Sequence, residues 1–498
     1  MSCPIWRRSG QMDFTLLNMN MLYIKYLDGR VHRQCHLPLG PLYLISALRG
    51  SGIDVDFRDY QLAEREDLFV PEALADFLEG CAPVVGISCM ANLLPFVLYA
   101  MPELKLRYPD RKFILGGVGA MEIEGRVLER TPEIDVIHRG EGERSVPLLV
   151  RAMLESGPLD DVPGIFYRKD GVVRRNHPAP RIDILDTLPY PDYGGLDFSR
   201  YAGHNMLGSR GCPYPCTFCS IAPIWGHTPH SRSSQHIVDE MSHLHRVHGV
   251  RQFLFQDEYF ISGPERVMEF ARILTEAHLD VTYKAFARVD LVDEESLQAL
   301  GDSGCVEIRF GVESGSDAVL GRIRKGFDSK SALRVVSMAK KLIRGVDAFY
   351  IWGFPFESMD DFGESLFQMV TLRGTGVRIL PSLLTYLPQT QLYRELEDPS
   401  KLEFCPWLLP EYMMAGMEKR VSVRVDIDER YSDFFDYIIR NSDIFPGFFQ
   451  MDIERNILPK LDMLEEFDFY RREVDESCGA HSPSQTGAMP GDIALLSE

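Results

Sequence analysis

The sequence predicts an α/β protein with two parallel sheets in succession: an open, doubly wound (Rossmann-like) sheet and a partial (β/α)6 TIM-type barrel, followed by a mixed C-terminal segment. Short apolar runs alternate with segments of helical period over residues 12–155, and a second alternation runs from 205 to about 385. A proline-rich stretch separates the two. Alternation of this kind is typical of strands joined by crossover helices, which run parallel.

The first alternation and its surroundings set the expected domain bounds. Its strand candidates are "FTLLNMNM", "IDVDFRDY", "VVGISCM", "KFILGG" and "DVIHRG". The predicted parts are a Rossmann-like domain over 12–155, a linker over 156–200, the partial barrel over 201–395, a C-terminal domain over 396–474 and a disordered tail over 475–498. The linker contains one hairpin candidate, "IFYRKDGVVRR", and the tail is predicted from its Ser, Gly and Pro content.

The second alternation has six strand-and-helix units. Its strand candidates are "NMLGSR", "QFLFQD", "VTYKAFA", "VEIRFGV", "DAFYIWGF" and "VRILPSLLTYL". Six such units in a row favour a parallel sheet that curls into most of a barrel, where catalytic groups lie at the carboxyl ends of the strands.

Composition narrows the class of partner. A formal charge of −20 argues against a nucleic-acid partner, because phosphate binding relies on clustered Lys and Arg. The ten cysteines and the absence of a signal-like segment after "MSCPIWRRSG" favour a reducing compartment. The longest apolar runs are too short to span a bilayer. We therefore expect a cytoplasmic protein with no membrane partner.

Three cysteines lie in one short stretch, "CPYPCTFC", just after the first barrel strand. Their spacing lets one loop direct three thiolates at a common point. A structural zinc site would need a fourth ligand, which His227 or His230 could supply. An iron–sulfur cluster held by three cysteines would leave one iron open to bind something else. The neighbouring Gly211, Pro213 and Pro215 suit a wrapped ligand loop better than a packed core helix.

The CxxxCxxC spacing, with Phe218 before its last cysteine, resembles the signature of the radical S-adenosylmethionine (SAM) superfamily. The resemblance implies a 4Fe-4S cluster on Cys212, Cys216 and Cys219. SAM would chelate the open iron, and Phe218 would lie beside it. An electron from an external donor such as flavodoxin or ferredoxin would cleave SAM to a 5′-deoxyadenosyl radical.

The same resemblance places further SAM contacts at the ends of the second to fifth barrel strands. They are Asp257 and Glu258 for the amino group, Arg288 for a carboxylate, Glu313 and Ser314 near the ribose, and Gly353 beside the adenine. Each pattern alone is weak, since an acidic pair or an Arg after a strand is more often a surface ion pair. Four of them in order, each on the expected strand, favour the SAM interpretation.

Segments of the first domain resemble the cobalamin-binding domain that precedes the barrel in one large radical SAM class. The segments are "LPLGPLYLISALRGSGIDVDFRD", "GISCMAN", "LGGVGAME" and "HRGEGERSVPLLV". The cobalamin contacts implied are Leu39, Gly40, Ser88, Gly116, Gly117, Gly119, Glu141, Gly142 and Glu143. Glycines after a buried strand let a large flat ligand approach bare backbone, although a plain tight turn also explains them. "GEGE" could equally cap the following helix.

Two family features are missing. The DxHxxG motif is absent between the first strand and the first helix, which leaves the lower cobalt face undefined. The usual "GGPH" type of loop is "GGVGA" here.

The resemblances imply a cobalamin-dependent methyltransferase that acts on an unactivated carbon of a small-molecule or natural-product substrate. One SAM would methylate cobalamin and another would generate the radical. Three alternatives remain: cyclisation, ring rearrangement or oxidation without methyl transfer; a methylthiotransferase with a second cluster on Cys35, Cys81 and Cys89; and a non-catalytic zinc- and cobalamin-binding protein. The C-terminal aromatics could cover the active site but are more typical of core; they are Trp407, Tyr412, Phe434, Phe435 and Phe448.

Overall fold

A computed structural model describes residues 12–470, apart from 20–22, 28–29, 66, 202, 405–407, 411–412, 414–417, 422–423 and 428. The predicted tail over 475–498, Trp407 and Tyr412 lie outside the described residues. In the described part of the chain, no helix has both the length and the apolar character needed to cross a bilayer.

The elements alternate along most of the chain. The strands are β1 (Phe14–Met19), β2 (Tyr23–Leu27), β3 (Arg30–Gln34), β4 (Val55–Asp59), β5 (Val84–Cys89), β6 (Lys112–Gly116), β7 (Val136–His138), β8 (Ile165–Lys169), β9 (Val172–Arg175), β10 (His204–Met206), β11 (Ser209–Arg210), β12 (His230–Ser231), β13 (Gln252–Phe255), β14 (Thr282–Ala287), β15 (Cys305–Glu313), β16 (Gly345–Trp352), β17 (Arg378–Leu383), β18 (Leu402–Phe404), β19 (Glu418–Val421), β20 (Arg424–Ile427) and β21 (Phe449–Met451). The helices are α1 (Leu39–Gly50), α2 (Pro71–Phe77), α3 (Leu94–Arg107), α4 (Glu124–Arg130), α5 (Gly142–Leu154), α6 (Ile221–Trp225), α7 (Ser234–His248), α8 (Pro264–Glu276), α9 (Glu294–Asp302), α10 (Asp317–Arg322), α11 (Ser329–Leu342), α12 (Met359–Gly374), α13 (Gln391–Arg394), α14 (Ser432–Arg440) and α15 (Leu458–Glu466).

Local sequence explains where several helices begin and end. The Ser233 side chain accepts a hydrogen bond from the backbone N–H of His236 at the start of α7, and Gly249 ends that helix with φ +70°. A capping box between Ser358 and Asp361 begins α12. These caps satisfy N–H groups that have no partner inside the helix.

The first sheet has the strand order β4-β1-β5-β6-β7-β8-β9. Its first five strands are parallel, and all six residues of β1 are buried, as expected of a strand with helices on both faces of its sheet. The chain order reverses between β1 and β5, which makes that position the topological switch point where ligands bind in doubly wound folds. The predicted doubly wound sheet is confirmed.

The hairpin predicted in the 156–200 stretch also forms. It consists of β8 and β9, and it extends the first sheet because β8 pairs antiparallel with β7.

The second sheet has the order β10-β13-β14-β15-β16-β17, with all neighbours parallel. A sheet whose strands follow one another in chain order, each joined by helices, is the arrangement of a (β/α) barrel. The predicted partial barrel is therefore confirmed, and its six strands coincide with the six predicted strand candidates.

The C-terminal segment packs against helices of both sheets, with α14 against α3 of the first and α15 against α12 of the second. Arg130 of α4 pairs with Asp443 at 2.8 Å, and the ring of Tyr99 on α3 lies 5.5 Å from that of Phe434. Phe434, Phe435 and Phe448 are buried. These three aromatics are part of the core.

Candidate functional site

The three cysteines lie in residues 212–229, which we call the cysteine loop. This loop follows the first barrel strand and is closed at its base by a two-stranded ribbon. Ser209 and Arg210 of β11 pair antiparallel with Ser231 and His230 of β12. We call residues 207–211 and 230–232 the neck of the loop. Gly211 has φ +94°, and a Cβ there would lie 3.2 Å from the Trp225 Cβ, so this turn into the first cysteine requires glycine.

Backbone hydrogen bonds fix the loop on the barrel. Thr217 donates from its N–H to the Ile323 carbonyl at 3.1 Å, and the Leu392 N–H donates to the Thr217 carbonyl at 2.8 Å. The loop that carries the thiols is therefore held at both its neck and its middle.

The three cysteines are partly buried and form no disulfide. Burial raises the pKa of Cys219 to about 12 and also raises the pKa of Cys212. Metal ions deprotonate coordinating thiols, so a bound cation would counteract the raised pKa values of Cys212 and Cys219. One stabilising contact is already present, since Arg288 Nη1 donates to Cys216 Sγ at 3.8 Å.

The geometry fits an iron–sulfur cluster better than a zinc ion. Among the described residues, no three His, Cys, Asp or Glu side chains converge on the position of a single metal ion. Neither predicted fourth ligand, His227 or His230, belongs to such a group among the described residues. Structural zinc needs four ligands around one ion, whereas the thiolates of a cluster bind separate irons.

The two predicted carboxylates after β13 have different surroundings. Asp257 is buried and accepts hydrogen bonds from the Gly208 N–H at 2.9 Å and the Ser209 hydroxyl at 2.6 Å. Burial raises its pKa to about 6. Both of its oxygens therefore hold the neck of the cysteine loop.

Glu258 is the carboxylate that remains available. It is exposed, and among the described residues it accepts a hydrogen bond only from its own backbone N–H. Desolvation, with a contribution from Asp257, raises its pKa to about 7. Its charge also raises the pKa values of Cys212 and Cys219. A carboxylate that lies near the thiols and has no side-chain partner among the described residues is placed to pair with a cation.

Arg288, at the end of β14, lies against the cysteine loop. Asp290 accepts from its Nε at 2.9 Å and its Nη2 at 3.0 Å, and the Lys325 carbonyl accepts from Nη2 at 2.5 Å. The guanidinium carbon lies 3.4 Å from the centroid of the Tyr214 ring, which belongs to the loop. Asp290 thus uses one edge of the guanidinium, and Nη1 faces Cys216.

The two residues predicted at the end of the fourth barrel strand, Glu313 and Ser314, also have different partners. Glu313 has φ +70° and accepts a 2.7 Å hydrogen bond from the buried Lys325. Ser314 is fully buried, and its hydroxyl bonds the Ser365 hydroxyl at 2.9 Å and accepts from the Ser316 N–H at 3.1 Å. Ser314 therefore joins β15 to α12.

Gly353 contacts the C-terminal segment. It has φ +86°, and a Cβ there would lie 2.9 Å from Ile457 Cδ1. Its N–H donates to Glu357 at 3.0 Å, and Glu357 accepts from Lys460 of α15 at 2.8 Å. Asn456 donates to the Gly353 and Phe354 carbonyls at 3.3 and 3.2 Å. The backbone beside the predicted adenine position is thus held by residues 456–460.

The predicted cobalamin contacts lie at the carboxyl edge of the first sheet or in the first turn of α1. Ser88 pairs in register with Asn18 and Gly116 at the switch point, and Leu39 and Gly40 begin α1. The buried Asn18 Oδ1 has no hydrogen-bond partner among the described residues. Small residues beside an unsatisfied acceptor at a switch point fit a bulky, polar ligand.

Two glycines of "GGVGA" are explained by local packing. A Cβ on Gly117, which has φ +82°, would lie 2.4 Å from the Cys89 carbonyl oxygen. A Cβ on Gly119 would lie 2.9 Å from the Met90 carbonyl carbon. The loop after β6 therefore lies directly against the backbone that follows β5.

The "GEGE" carboxylates contact the barrel. Arg210 donates from Nη1 to Glu141 at 2.8 Å and from Nη2 to Glu143 at 2.6 Å. Glu141 also accepts from the Ile182 N–H at 2.5 Å. Gly142 lies between them at the start of α5, where a Cβ would approach Val146 Cγ2 at 3.1 Å. Both carboxylates are thus engaged at the interface between the first sheet and the cysteine loop.

Two protein-family models match this chain. The B12 binding domain matches residues 28–150, and the radical SAM superfamily matches residues 206–369, so that the two together cover more than half of the sequence. The chain belongs to the radical SAM superfamily, in the class with a B12-binding domain. Its cofactors are accordingly a 4Fe-4S cluster and SAM in the radical SAM domain and cobalamin in the B12-binding domain.

Several relatives of this radical SAM protein are known. An uncharacterised methyltransferase of Pyrococcus horikoshii is 29% identical over 331 residues, which is 65% of this chain and 71% of that protein. The anaerobic magnesium-protoporphyrin IX monomethyl ester cyclase of Synechocystis is 26% identical over 353 residues, 69% of this chain and 70% of that protein. The radical SAM methyltransferase TsrM from Kitasatospora setae, solved with its tryptophan substrate and a SAM analogue, has a TM-score of 0.64 at 17% identity, covering 87% and 88% of the two chains. This last likeness establishes a shared fold.

The fold does not bring together Cys35, Cys81 and Cys89, which are the candidate ligands of a second cluster. Cys81 precedes β5 and Cys89 ends it, so β5 itself separates them by roughly 16 Å, at about 3.3 Å per residue. Opposite ends of one strand cannot ligate the same cluster. This placement argues against the methylthiotransferase alternative.

Sequence reasoning missed three residues of the radical SAM site: Lys325, Arg210 and Lys460. Each makes a buried ion pair with a carboxylate distant in sequence. "RIRKG" and "GSRGC" place Lys325 and Arg210 close to recognised motifs, which was the available signal. No local pattern marks Lys460.

Proposed function

We propose that this radical SAM protein is a cobalamin-dependent methyltransferase that modifies an unactivated carbon of a small-molecule or natural-product substrate. The methyltransferase from Pyrococcus horikoshii and the fold shared with TsrM support the reaction type. The tryptophan bound to TsrM supports a small-molecule substrate.

One contact carries the proposal. Arg210 lies two positions before Cys212 and hydrogen-bonds Glu141, which follows the carboxyl end of β7. The edge of the first sheet where cobalamin binds in this fold class therefore meets the neck of the cysteine loop. Two reactive centres that share one substrate must be close to it at the same time, and holding reacting groups together lowers the entropic part of the barrier.

When bound, the cluster with SAM supplies a radical that removes hydrogen, and cobalamin supplies a methyl group. The chain's own residues then have separate tasks. Cys212, Cys216 and Cys219 hold the irons, and Glu258 pairs with the SAM ammonium. Arg288 Nη1, which donates one hydrogen bond to Cys216 Sγ, has a second N–H that would donate to a carboxylate beside Cys216.

The remaining predicted SAM and cobalamin contacts act mostly through backbone or shape. Phe218 and Gly353 shape the adenosyl side of the barrel, with Glu313 and Lys325 as a buried pair behind Phe218. The corrin would bind at the edge of the first sheet that is formed by Ser88, Gly116 and the first turn of α1. We also propose a flavodoxin or ferredoxin as electron donor and a cytoplasmic location, because the cluster thiols must stay reduced.

The test begins with anaerobic reconstitution using iron, sulfide and hydroxocobalamin, followed by iron and cobalt analysis. The expected result is four irons per cluster and bound cobalt, followed by label transfer from methyl-deuterated SAM to one component of a small-molecule extract. Iron without cobalt would contradict the cobalamin assignment. Zinc without iron would contradict the whole proposal.

A second candidate is cyclisation, ring rearrangement or oxidation without methyl transfer. The relationship to the Synechocystis cyclase favours it, since coverage of that protein is as extensive as coverage of the methyltransferase. The labelled SAM distinguishes the two: a cyclase consumes SAM to 5′-deoxyadenosine and gives a product without deuterated methyl.

A further inference from the structure

A buried charge cluster joins the first sheet to the cysteine loop. Arg210 bridges Glu141 and Glu143, and the three side chains are only 5%, 2% and 9% exposed. The two carboxylates bind different nitrogens of one guanidinium, a geometry that fixes direction as well as distance. We call these three residues the interdomain clamp.

Aromatic rings hold the guanidinium from both domains. The Arg210 guanidinium carbon lies 5.4 Å from the ring centroid of Tyr43 on α1 and 5.6 Å from that of Trp225 on α6. Arg181 also lies over Trp225, at 5.7 Å, and its Nε is 3.6 Å from Glu141. Cation–π contacts with a ring from each domain restrict the movement of the guanidinium.

The barrel end of the clamp is rigidly connected to the cluster ligands. Arg210 ends β11, and the two residues before it, Gly208 and Ser209, donate hydrogen bonds to Asp257. One residue, Gly211, separates Arg210 from Cys212. A displacement of Arg210 would therefore be transmitted to the first cysteine.

The other end of the clamp is equally close to the proposed cobalamin edge. Glu141 and Glu143 lie at the start of α5, directly after β7. Moving one domain relative to the other would separate Arg210 from the two carboxylates. A buried charge that loses its partner destabilises the protein strongly. The clamp thus resists sliding at the point where the two cofactor sites meet.

We propose that the interdomain clamp is a positioning device that fixes the separation between the 4Fe-4S cluster and cobalamin. Its three side chains act through the cysteine loop and α5 and do not ligate either cofactor. The inference rests on the proposed function in one respect, the binding of cobalamin at the edge of the first sheet.

The test measures the separation directly in the reconstituted full chain. After reduction to the paramagnetic cluster and cobalt(II), pulsed electron paramagnetic resonance reports the distance between the two spins. We expect one narrow distance in the wild type and a broader or longer distribution in Arg210→Met. Arg210→Lys, which keeps the charge but cannot bridge two carboxylates, should fall between them.

A matched control removes a similar arginine elsewhere. Arg309 pairs with Glu307 and Asp347 inside the barrel, so Arg309→Met should lose stability but keep the wild-type distance.

The outcomes separate the two hypotheses. A wild-type protein that binds iron without cobalt would overturn the proposed function. Bound iron and cobalt with an unchanged distance in Arg210→Met would overturn the clamp. If Arg210→Met fails to fold, Glu143→Leu removes the acceptor of Arg210 Nη2 and leaves Arg210 paired with Glu141. An unchanged distance in that variant would overturn the clamp as well.

Discussion

Lys325 donates a 2.7 Å hydrogen bond from Nζ to Glu313 Oε1, and both side chains are buried at the carboxyl end of the fourth barrel strand. The same Nζ lies 5.8 Å from the ring centroid of Phe218 in the cysteine loop. The ion pair thus lies where the strand, the loop and the adenosyl side of the proposed SAM site meet.

Replacing Lys325 by Met should strongly destabilise the fold. The variant leaves Glu313 buried without its cation, and removing one partner of a buried pair costs about 3–5 kcal/mol. Denaturant unfolding of the metal-free protein measures the loss. The double variant Lys325→Met/Glu313→Leu should recover most of it, since no buried charge remains. A double variant no more stable than the single one would show that the stranded charge is not the cause.

Glu258→Gln should weaken SAM binding without a large change in thermal stability. Hydrogen bonds to charged groups contribute about 1.5–3 kcal/mol, so loss of the carboxylate should reduce affinity roughly 10- to 100-fold. Equilibrium dialysis of the reconstituted protein against SAM gives the dissociation constant.

The neighbouring position provides the matched control. In Asp257→Asn, an amide nitrogen would face either the Gly208 N–H or the Ser209 hydroxyl, both of which now donate to Asp257. We therefore expect a lower melting temperature in this variant and loss of iron along with SAM. Equal behaviour of the two variants would contradict the division of roles between Asp257 and Glu258.

Alanine at Cys212, Cys216 or Cys219 should abolish stable iron binding. Each thiolate holds a different iron, so losing one leaves the cluster with only two protein ligands. Iron and sulfide analysis after anaerobic reconstitution measures the effect. Cys305→Ala is the control, because Cys305 is buried in β15 away from the loop, and it should retain the full iron content. Iron that survived in Cys216→Ala would refute the ligand assignment.

Stability should fall in mild acid because of His138. Burial lowers the pKa of His138 to about 4, and its Nε2 lies 2.6 Å from the Ser145 hydroxyl. The unfolded chain takes up this proton near pH 6.5 and the folded chain only near pH 4, so stability is lost as the pH falls through that window. By pH 5 the loss from this residue is about 2 kcal/mol.

Unfolding curves at pH 7.5 and pH 5 test this expectation. His138→Gln removes the titrating group, and the difference between its two curves should be smaller than the wild-type difference by that amount. An identical pH dependence in wild type and variant would assign the acid sensitivity to other groups.

The sequence sufficed for the elements whose signal is local. The period of the apolar residues predicted both parallel sheets, and the spacing of Cys212, Cys216 and Cys219 predicted the ligand loop. It could not distinguish Asp257 from Glu258, because adjacent carboxylates have the same chemistry until their surroundings are known. Nor could it show that Arg210 engages Glu141 and Glu143, since that choice depends on how two separate sheets pack.

The contacts of the C-terminal segment could not be predicted from the sequence either. Lys460 is 1% exposed and pairs with Glu357, whose side chain is 0% exposed, across 103 positions of sequence. Residues that far apart carry no shared period or spacing. The pairing follows from tertiary packing of α15 against α12.

This long-range pairing has a consequence for biosynthesis. Glu357 leaves the ribosome 103 residues before Lys460, so the nascent chain has for that interval a carboxylate destined for burial without its counter-ion. The loop after the fifth barrel strand, with Gly353, is therefore expected to reach its final conformation only after Lys460 has been synthesised. We therefore expect a chain stalled before Lys460 to be a poor acceptor for the cluster-assembly machinery.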